Sequence, residues 1–252
     1  MKINLALLLL FLSSVTFGQQ QATPDQIKTT KGDLVVQPIT HGTVAFTWNK
    51  LTIFVDPYGG SAGFEGLNDP DIVLITDIHG DHLDVKTLND LNISKAKLIV
   101  PQAVMEKLPE ELKSQASVLN NGENQDVSGI NIAAIPMYNL PEDATSRHTK
   151  GRGNGYILTM GGKKVYLSGD TEDIPEMRNL KNIDVAFVCM NLPYTMDINQ
   201  AASAVLDFKP GIVYPYHYRG QGGLSDVEGF KKLVNDGNPK IEVRLKNWYP
   251  NQ

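Results

Sequence analysis

The chain contains one short segment, residues 77–82, in which four of six side chains can bind a metal ion. The segment is Asp-Ile-His-Gly-Asp-His and directly follows an apolar run. A tight loop after a strand can turn carboxylate and imidazole groups toward one point, and these ligands suit zinc, manganese or iron. The alternative is a helix start with a capping aspartate and solvated histidines, which the density of ligands disfavours. The predicted metal ligands of this loop are Asp77, His79, Asp81 and His82.

Two further segments place ligand-type side chains after apolar strands. Asp170 lies in a Ser-Gly-Asp-Thr turn, and His217 follows the run Ile212–Tyr216. Alone, a Gly-Asp pair usually marks a turn and a single histidine is usually structural. Combined with the loop 77–82 they indicate one shared site, because functional groups collect in loops at strand ends.

In their order and spacing these segments resemble the metallo-β-lactamase superfamily. The resemblance is strongest to a branch of predicted Zn-dependent hydrolases that includes ascorbate-6-phosphate lactonase-like proteins. The family motif His-x-His-x-Asp-His corresponds to residues 77–82, its Gly-Asp-Thr turn to Asp170, and its last histidine to His217. The segments His41-Gly42-Thr43 and Asp56-Pro57 also resemble the opening of that branch. The resemblance covers residues 34–249.

The resemblance implies an α/β fold, a four-layer αββα sandwich, with metals at one edge between two sheets. It also implies roles for the ligands. Asp81, His82 and His217 would hold one metal, His79 would hold another, and Asp170 would bridge them.

Two departures from the family pattern leave the number of metals open. Asp77 replaces the first histidine of the motif, and no histidine occurs in 136–139, where the middle histidine of the family is expected. One possibility is a mononuclear site. The other is a second site rebuilt from Asp77 and His79, with His148 as a further candidate. His148 lies in a polar loop, where it either reaches the metal or substrate or is simply exposed. His41 is either a contact near the metals or a structural histidine.

The expected chemistry is hydrolysis of an ester, lactone, amide or phosphoester in a small-molecule substrate. A bound divalent metal lowers the pKa of its water from about 15.7 to about 7 and polarises the substrate oxygen. Asp81 or Asp77 would orient the water or transfer a proton as the catalytic residue. Tyr194, Tyr216 and Arg219 are candidates for stabilising the oxyanion, and Tyr216 is also a candidate for contacting the substrate or supporting the ligands from behind. Aromatic side chains at such positions more often pack. The expected cofactor is one or two zinc ions, with manganese or iron as alternatives.

Two other functions compete with hydrolysis. The altered ligand set is compatible with a non-catalytic protein that binds a metal or small molecule. A di-iron redox enzyme is the second alternative, and the absence of a flavin-binding domain from the sequence argues against it.

The elements around these segments are short strands and scattered helices. Hairpins are predicted early in the chain, with Asn49-Lys50 as a tight turn, and apolar strands precede each ligand segment. The early hairpins argue against a purely parallel sheet and favour helix-covered sheets packed on each other. We predict one domain over 33–252, preceded by a loose polar leader over 19–32.

Residues 1–18 have the plan of a secretory signal peptide. Lys2 supplies a positive charge, Leu5–Leu12 is apolar, and small residues precede a cleavage position before Gln19. A membrane anchor is the alternative, but the apolar run is shorter than the ~20 residues that span a bilayer. The sequence therefore predicts a periplasmic or secreted protein without stable membrane insertion.

The charge and cysteine content exclude other classes. With 23 basic and 28 acidic residues the formal charge is −5, which gives no electrostatic basis for binding nucleic acid. Cys189 is the single cysteine, so no internal disulfide can form. Its apolar neighbours predict a small buried side chain.

Overall fold

The computed structural model describes residues 22–250, so the predicted signal peptide lies outside the described residues. The first half of this range forms a seven-stranded sheet in which the strands lie in chain order. The first four strands pair antiparallel and the next three pair parallel. The strands are β1 Asp25–Thr29, β2 Gly32–Thr40, β3 Thr43–Trp48, β4 Leu51–Val55, β5 Ile72–Leu74, β6 Lys97–Val100 and β7 Ala116–Val118.

The second half repeats this plan. It contributes β8 Asn124–Val127, β9 Ile130–Met137, β10 Gly153–Met160, β11 Lys163–Leu167, β12 Val185–Cys189, β13 Ile212–Tyr216, β14 Arg219–Gly220, β15 Gly223–Leu224 and β16 Glu242–Val243. The order in the second sheet is β16-β13-β12-β11-β10-β9-β8, and β14 and β15 form a small separate ribbon. Again an antiparallel meander comes first and parallel strands follow.

Six helices occur in the described part of the chain. They are α1 Val85–Asp90, α2 Gln102–Lys107, α3 Glu110–Lys113, α4 Pro175–Arg178, α5 Ile198–Phe208 and α6 Val227–Gly237, with one 3₁₀ turn at Ser61–Phe64. Aspartates start the longer ones: the Asp197 carboxylate accepts from two backbone N–H groups at the start of α5. None of the helices within 22–250 is long and apolar enough to span a bilayer.

Strand β5 shows why the chain forms four layers. Ile72 and Leu74 point into the core between the two sheets, whereas Val73 and Ile75 point into a second cluster that contains residues of α1, α2 and α3. This alternation explains an uninterrupted apolar run, because both faces of the strand are buried. On the inner side the rings of Phe46 and Phe187 join the two sheets, with centroids 5.5 Å apart. The predicted αββα sandwich is confirmed.

The predicted hairpin at Asn49-Lys50 is also present. Both residues have positive φ, 48° and 68°. Two consecutive residues in this region form the turn whose twist matches that of the flanking strands.

The loose leader predicted over 19–32 is wrong for its second half, since β1 lies within it. This strand pairs with β2 over five residues. Its Thr29 hydroxyl accepts from Trp48 Nε1 at 3.1 Å, and its Asp25 carboxylate accepts from the Tyr214 hydroxyl at 2.8 Å. Tyr214 belongs to β13, so this polar strand is tied to the other sheet as well as to its own.

Candidate metal site

All predicted ligand segments follow strands at one edge of the sandwich. The loop 77–82 follows β5, the turn with Asp170 follows β11, and His217 follows β13. The carboxyl ends of parallel strands meet at such an edge, which is where ligands bind in α/β proteins. The structure brings five of the six predicted ligands together there in two groups, one of which also contains His148, and places the sixth, Asp81, in a third group with His41 and His217.

The first group consists of His82, Asp170 and His217, all buried. The two imidazole Nε2 atoms lie 3.3 Å apart. Asp170 approaches both, with Oδ2 3.4 Å from His82 Nε2 and Oδ1 3.3 Å from His217 Nε2. Three ligand atoms therefore surround one point.

The second group consists of Asp77, His79 and His148. Asp77 Oδ2 lies 2.6 Å from His79 Nδ1 and 4.0 Å from His148 Nε2. Asp170 borders this group too, because its Oδ2 lies 3.2 Å from His148 Nε2. One carboxylate thus stands between both groups.

The arrangement of the ligand atoms suits metal binding better than hydrogen bonding among the ligands themselves. His79 Nδ1, His148 Nε2 and Asp170 Oδ1 are buried and have no hydrogen-bond partner among the described residues, although other ligand atoms lie within 3.3 Å. Short contacts outside hydrogen-bond geometry are expected where lone pairs converge on a common point. The donor set of imidazoles and carboxylates suits a divalent transition metal.

His82 is prepared for a metal by groups behind it. Its Nδ1 lies 2.8 Å from Asp56 Oδ2, so Nδ1–H donates to that carboxylate and Nε2 is the atom that a metal would bind. Asp56 also accepts from the backbone N–H and the hydroxyl of Thr76, at 2.7 and 2.6 Å. Such a carboxylate–histidine pair fixes the tautomer of the ligand. In the sequence, the only signal for Asp56 was that Asp56-Pro57 resembles the opening of the family branch.

His148 is prepared in the same way by Asn139. Asn139 Oδ1 accepts from the backbone N–H of His148 at 2.8 Å and lies 3.2 Å from its Nδ1, while Asn139 Nδ2 donates to the Tyr194 carbonyl. His148 is fully buried. Of the alternatives drawn from the sequence, the exposed histidine is wrong.

His217 is held mainly by packing. Its φ is 46°, and its backbone N–H donates to the His41 carbonyl at 3.1 Å. The His41 ring lies 4.0 Å from the His217 ring, centroid to centroid. A Cβ at Gly42 would lie 3.0 Å from His217 Cδ2, so any other residue there would require the ring to shift by a few tenths of an ångström.

His41 connects Asp81 to the protein. Its Nδ1 lies 2.9 Å from the Tyr249 hydroxyl and its Nε2 3.1 Å from Asp81 Oδ2. Asp81 Oδ2 also lies 3.5 Å from His217 Nε2. His41 therefore contacts a predicted ligand, as one of its two sequence-based interpretations required.

Of the two roles predicted for Tyr216, the structure supports the one behind the ligands rather than the substrate contact. Its side chain is buried, and its hydroxyl accepts from the Gly169 backbone N–H at 3.1 Å, beneath the turn that carries Asp170. Tyr194 is half-buried, with the Arg147 guanidinium 4.4 Å from its ring centroid, and Arg219 is exposed.

Sequence reasoning also missed Arg152. Its Nε and Nη2 donate to the two oxygens of Asp77, at 3.1 and 2.9 Å. No motif could reveal this pair, because 75 residues separate its members.

The ionisation of the metal-free site is set by burial and by neighbouring charges. Burial raises the pKa of Asp77, but the contact with His79, the charge of His82 and the bonds from Arg152 outweigh it and lower the pKa to about 2. Burial lowers the pKa of His82, but the charges of Asp170 and Asp56 outweigh it and raise the pKa well above 6.5. The site therefore keeps negative carboxylates and a proton that a metal must displace.

Comparison with known proteins supports the same class. A family model for the beta-lactamase superfamily domain matches residues 36–217. A UPF0173 metal-dependent hydrolase of Pyrococcus abyssi (strain GE5 / Orsay) is 32% identical over 195 residues, which cover 73% of this chain and 85% of that protein.

Two solved structures are similar over most of the chain. A structure described as a metal-dependent hydrolase from Parabacteroides distasonis ATCC 8503 shares 38% identity, covering 89% of this chain and 98% of its own, with a TM-score of 0.79. Igni18, a metallo hydrolase from Ignicoccus hospitalis KIN4/I, shares 25% identity, covering 84% and 94%, with a TM-score of 0.71.

The chain belongs to the metallo-β-lactamase superfamily, as the motif resemblance predicted. Within that superfamily it is a metal-dependent hydrolase. The narrower resemblance to ascorbate-6-phosphate lactonase-like proteins stays a prediction.

Proposed function

We propose that this protein is a binuclear hydrolase that cleaves an ester, lactone, amide or phosphoester bond in a small-molecule substrate. The observation that carries the proposal is the position of Asp170. Its carboxylate lies 3.2 Å from His148 Nε2 in one ligand group and 3.3–3.4 Å from His217 and His82 Nε2 in the other. A buried carboxylate shared by two groups of imidazoles supports two metals rather than one. Zinc is the proposed metal, with manganese or iron as the alternatives.

A bound divalent metal would supply a water of lowered pKa and an electrophile for the substrate oxygen. The chain itself supplies a proton acceptor at the same place. The Asp81 side chain is 30% exposed, whereas those of Asp77 and Asp170 are 0% and 4% exposed. Asp81 therefore faces the solvent from which substrate arrives, and we assign it, rather than Asp77, to proton transfer.

His41 positions that acceptor. Burial lowers the pKa of His41 and thereby favours its neutral form, despite the opposing contact with Asp81. With the Tyr249 hydroxyl donating to Nδ1, the proton of a neutral His41 lies on Nε2 and is donated to Asp81 Oδ2. This chain of bonds fixes one carboxylate oxygen of Asp81.

We assign to Arg147 the stabilisation of negative charge on the substrate. It directly precedes His148, and its guanidinium lies over the Tyr194 ring rather than against a carboxylate. Its guanidinium would stabilise negative charge on a substrate that reaches from the ligands toward Tyr194.

The competing interpretation, a non-catalytic binding protein, relied on the altered ligand set, namely Asp77 in place of the first histidine and the missing middle histidine. His148 supplies an imidazole to the second ligand group and removes the second of these departures. A di-iron redox enzyme would be distinguished by its bound metal.

Residues 1–18 support a proposal on location. We propose that the chain is exported and cleaved before Gln19, which N-terminal sequencing of the mature protein tests directly. An intact Met1 on the exported protein would contradict cleavage.

The function is tested by turnover of a panel of chromogenic esters, lactones, amides and phosphodiesters. We expect turnover that stops on chelation and returns with added metal. Asp81→Asn should lower kcat by about 10²–10⁴-fold, the usual contribution of a general acid–base group. Asp126→Asn, which changes an exposed carboxylate on β8, is the matched control and should stay within about twofold. Turnover that survives complete metal removal would contradict the proposal.

A further inference from the structure

The ion pair between Asp77 and Arg152 lies inside the second ligand group. Arg152 holds both oxygens of Asp77 with two parallel N–H donors. The Asp77 side chain is fully buried, and that of Arg152 is only 19% exposed. A bidentate pair in such surroundings has a fixed geometry and is weakly screened by solvent.

The backbone forces these two side chains together. Asn154 N–H, at the start of β10, donates to the Thr76 carbonyl at 2.9 Å. A Cβ at Gly153 would lie 2.8 Å from the same carbonyl, so the backbone segments at Thr76 and Gly153 are too close for any residue larger than glycine. Asp77 follows Thr76 and Arg152 precedes Gly153, so this close backbone contact brings the carboxylate and the guanidinium next to each other.

Charge explains what the pair does for a metal. Asp77 occupies the first position of a motif in which a neutral histidine is expected, so the substitution alone adds one negative charge. Arg152 adds one positive charge at 2.9 Å and returns the sum to zero. The contacts of Asp77 Oδ2 with His79 Nδ1, 2.6 Å, and His148 Nε2, 4.0 Å, leave that oxygen as the one facing the site.

We propose that Arg152 is a positioning residue that neutralises Asp77, so that the pair acts as the charge equivalent of an imidazole ligand. This inference rests on the proposed binuclear site. It assigns to Arg152 a control of metal affinity at the second ligand group and no contact with the reacting atoms.

A double-mutant cycle with Zn²⁺ tests the inference. Zinc affinity is measured by competition with a chromogenic chelator in the full-length protein, and the binding step of the second group is the one lost in His148→Ala. Asp77→His leaves a buried guanidinium unpaired beside a neutral ligand and should weaken this step at least tenfold. Adding Arg152→Gln to that variant should restore the affinity to within about threefold.

In the native background we expect Arg152→Gln to raise the zinc affinity rather than lower it. Arg152→Gln leaves Asp77 uncompensated, so Zn²⁺ should bind at this step about threefold tighter or more. Arg152→Lys keeps the charge but loses the bidentate geometry, so it should raise the affinity less than Arg152→Gln does. The Gln and Lys variants keep the test falsifiable if Asp77→His does not fold.

A purely structural role predicts that Arg152→Gln weakens binding equally in both backgrounds, which would overturn the inference. Failure of the proposed function gives a different result. The unchanged protein would then bind no zinc, or would show a single binding step at the His82, Asp170 and His217 group that neither His148→Ala nor the Arg152 variants change.

Discussion

Replacing Asp56 by Asn should disable His82 without touching any ligand. In the native site Asp56 Oδ1 accepts from the Thr76 backbone N–H, and Oδ2 accepts from the Thr76 hydroxyl and His82 Nδ1. An Asn amide must keep its oxygen toward the backbone N–H, because that N–H can only donate. Its NH₂ group then faces His82 Nδ1, which must accept, and the histidine proton moves to Nε2, the atom that faces the metal.

The magnitude follows from this change of tautomer. Loss of a carboxylate behind a ligating histidine costs about 10–100-fold in metal affinity, which corresponds to ~1.4–2.8 kcal/mol. The fold itself should lose about 1.5–3 kcal/mol, since a hydrogen bond to a buried charged group disappears. The loss of folding free energy is smaller than the free energy of unfolding of an ordinary domain. We therefore expect Asp56→Asn to fold and to bind metal weakly.

The assay is titration of the metal-free protein with Zn²⁺ against a competing chelator. The matched control is Asp71→Asn, which also weakens an acceptor for one backbone N–H, that of Thr52 at 2.8 Å, away from the ligands. We expect the control to keep native affinity. Asp56→Asn binding Zn²⁺ within about threefold of the unchanged protein would refute the tautomer argument.

Two further predictions concern the first strand and the packing of His217. The pKa of Asp25 is lowered because the bonds from Tyr214 and nearby cations outweigh burial, so its stabilisation is present above about pH 3.8 and lost at lower pH. Asp25→Asn should therefore lower the free energy of unfolding by ~1 kcal/mol at pH 7, in urea titrations, and the difference should shrink below pH 3.8; a constant difference would contradict this. Gly42→Ala should displace the His217 ring and reduce the bound zinc of the folded protein. Gly222→Ala is the control, because a Cβ there meets open space, and it should leave the zinc content unchanged. Equal zinc content in the two variants would contradict this prediction.

The sequence predicted the part of the site that is local in the chain. Four ligand-type residues within 77–82 gave a dense pattern, and the apolar strands before Asp170 and His217 placed those residues at the same edge. Alternating and continuous apolar runs likewise predicted most strands, because burial on one or both faces determines those patterns.

The remainder depends on contacts that no local pattern encodes. The imidazole expected directly after Ile135 comes instead from His148, which the loop 138–152 returns to the site. Asn139 and Arg152, at the two ends of that loop, orient ligands by hydrogen bonds that only the folded backbone creates. Polar strands were missed for a related reason: β1 has Ile27 as its one buried side chain and is held by pairing and polar contacts.

The central claim is that Asp170 joins two metal positions, and counting metals in four proteins tests it most directly. Residues 19–252 and their His82→Ala, His148→Ala and Asp170→Ala variants would be purified, checked for native circular dichroism, and analysed by inductively coupled plasma mass spectrometry. We predict two equivalents in the unchanged protein, about one in each histidine variant, and less than one in Asp170→Ala. One equivalent in the unchanged protein, retained in His148→Ala, would contradict a binuclear site.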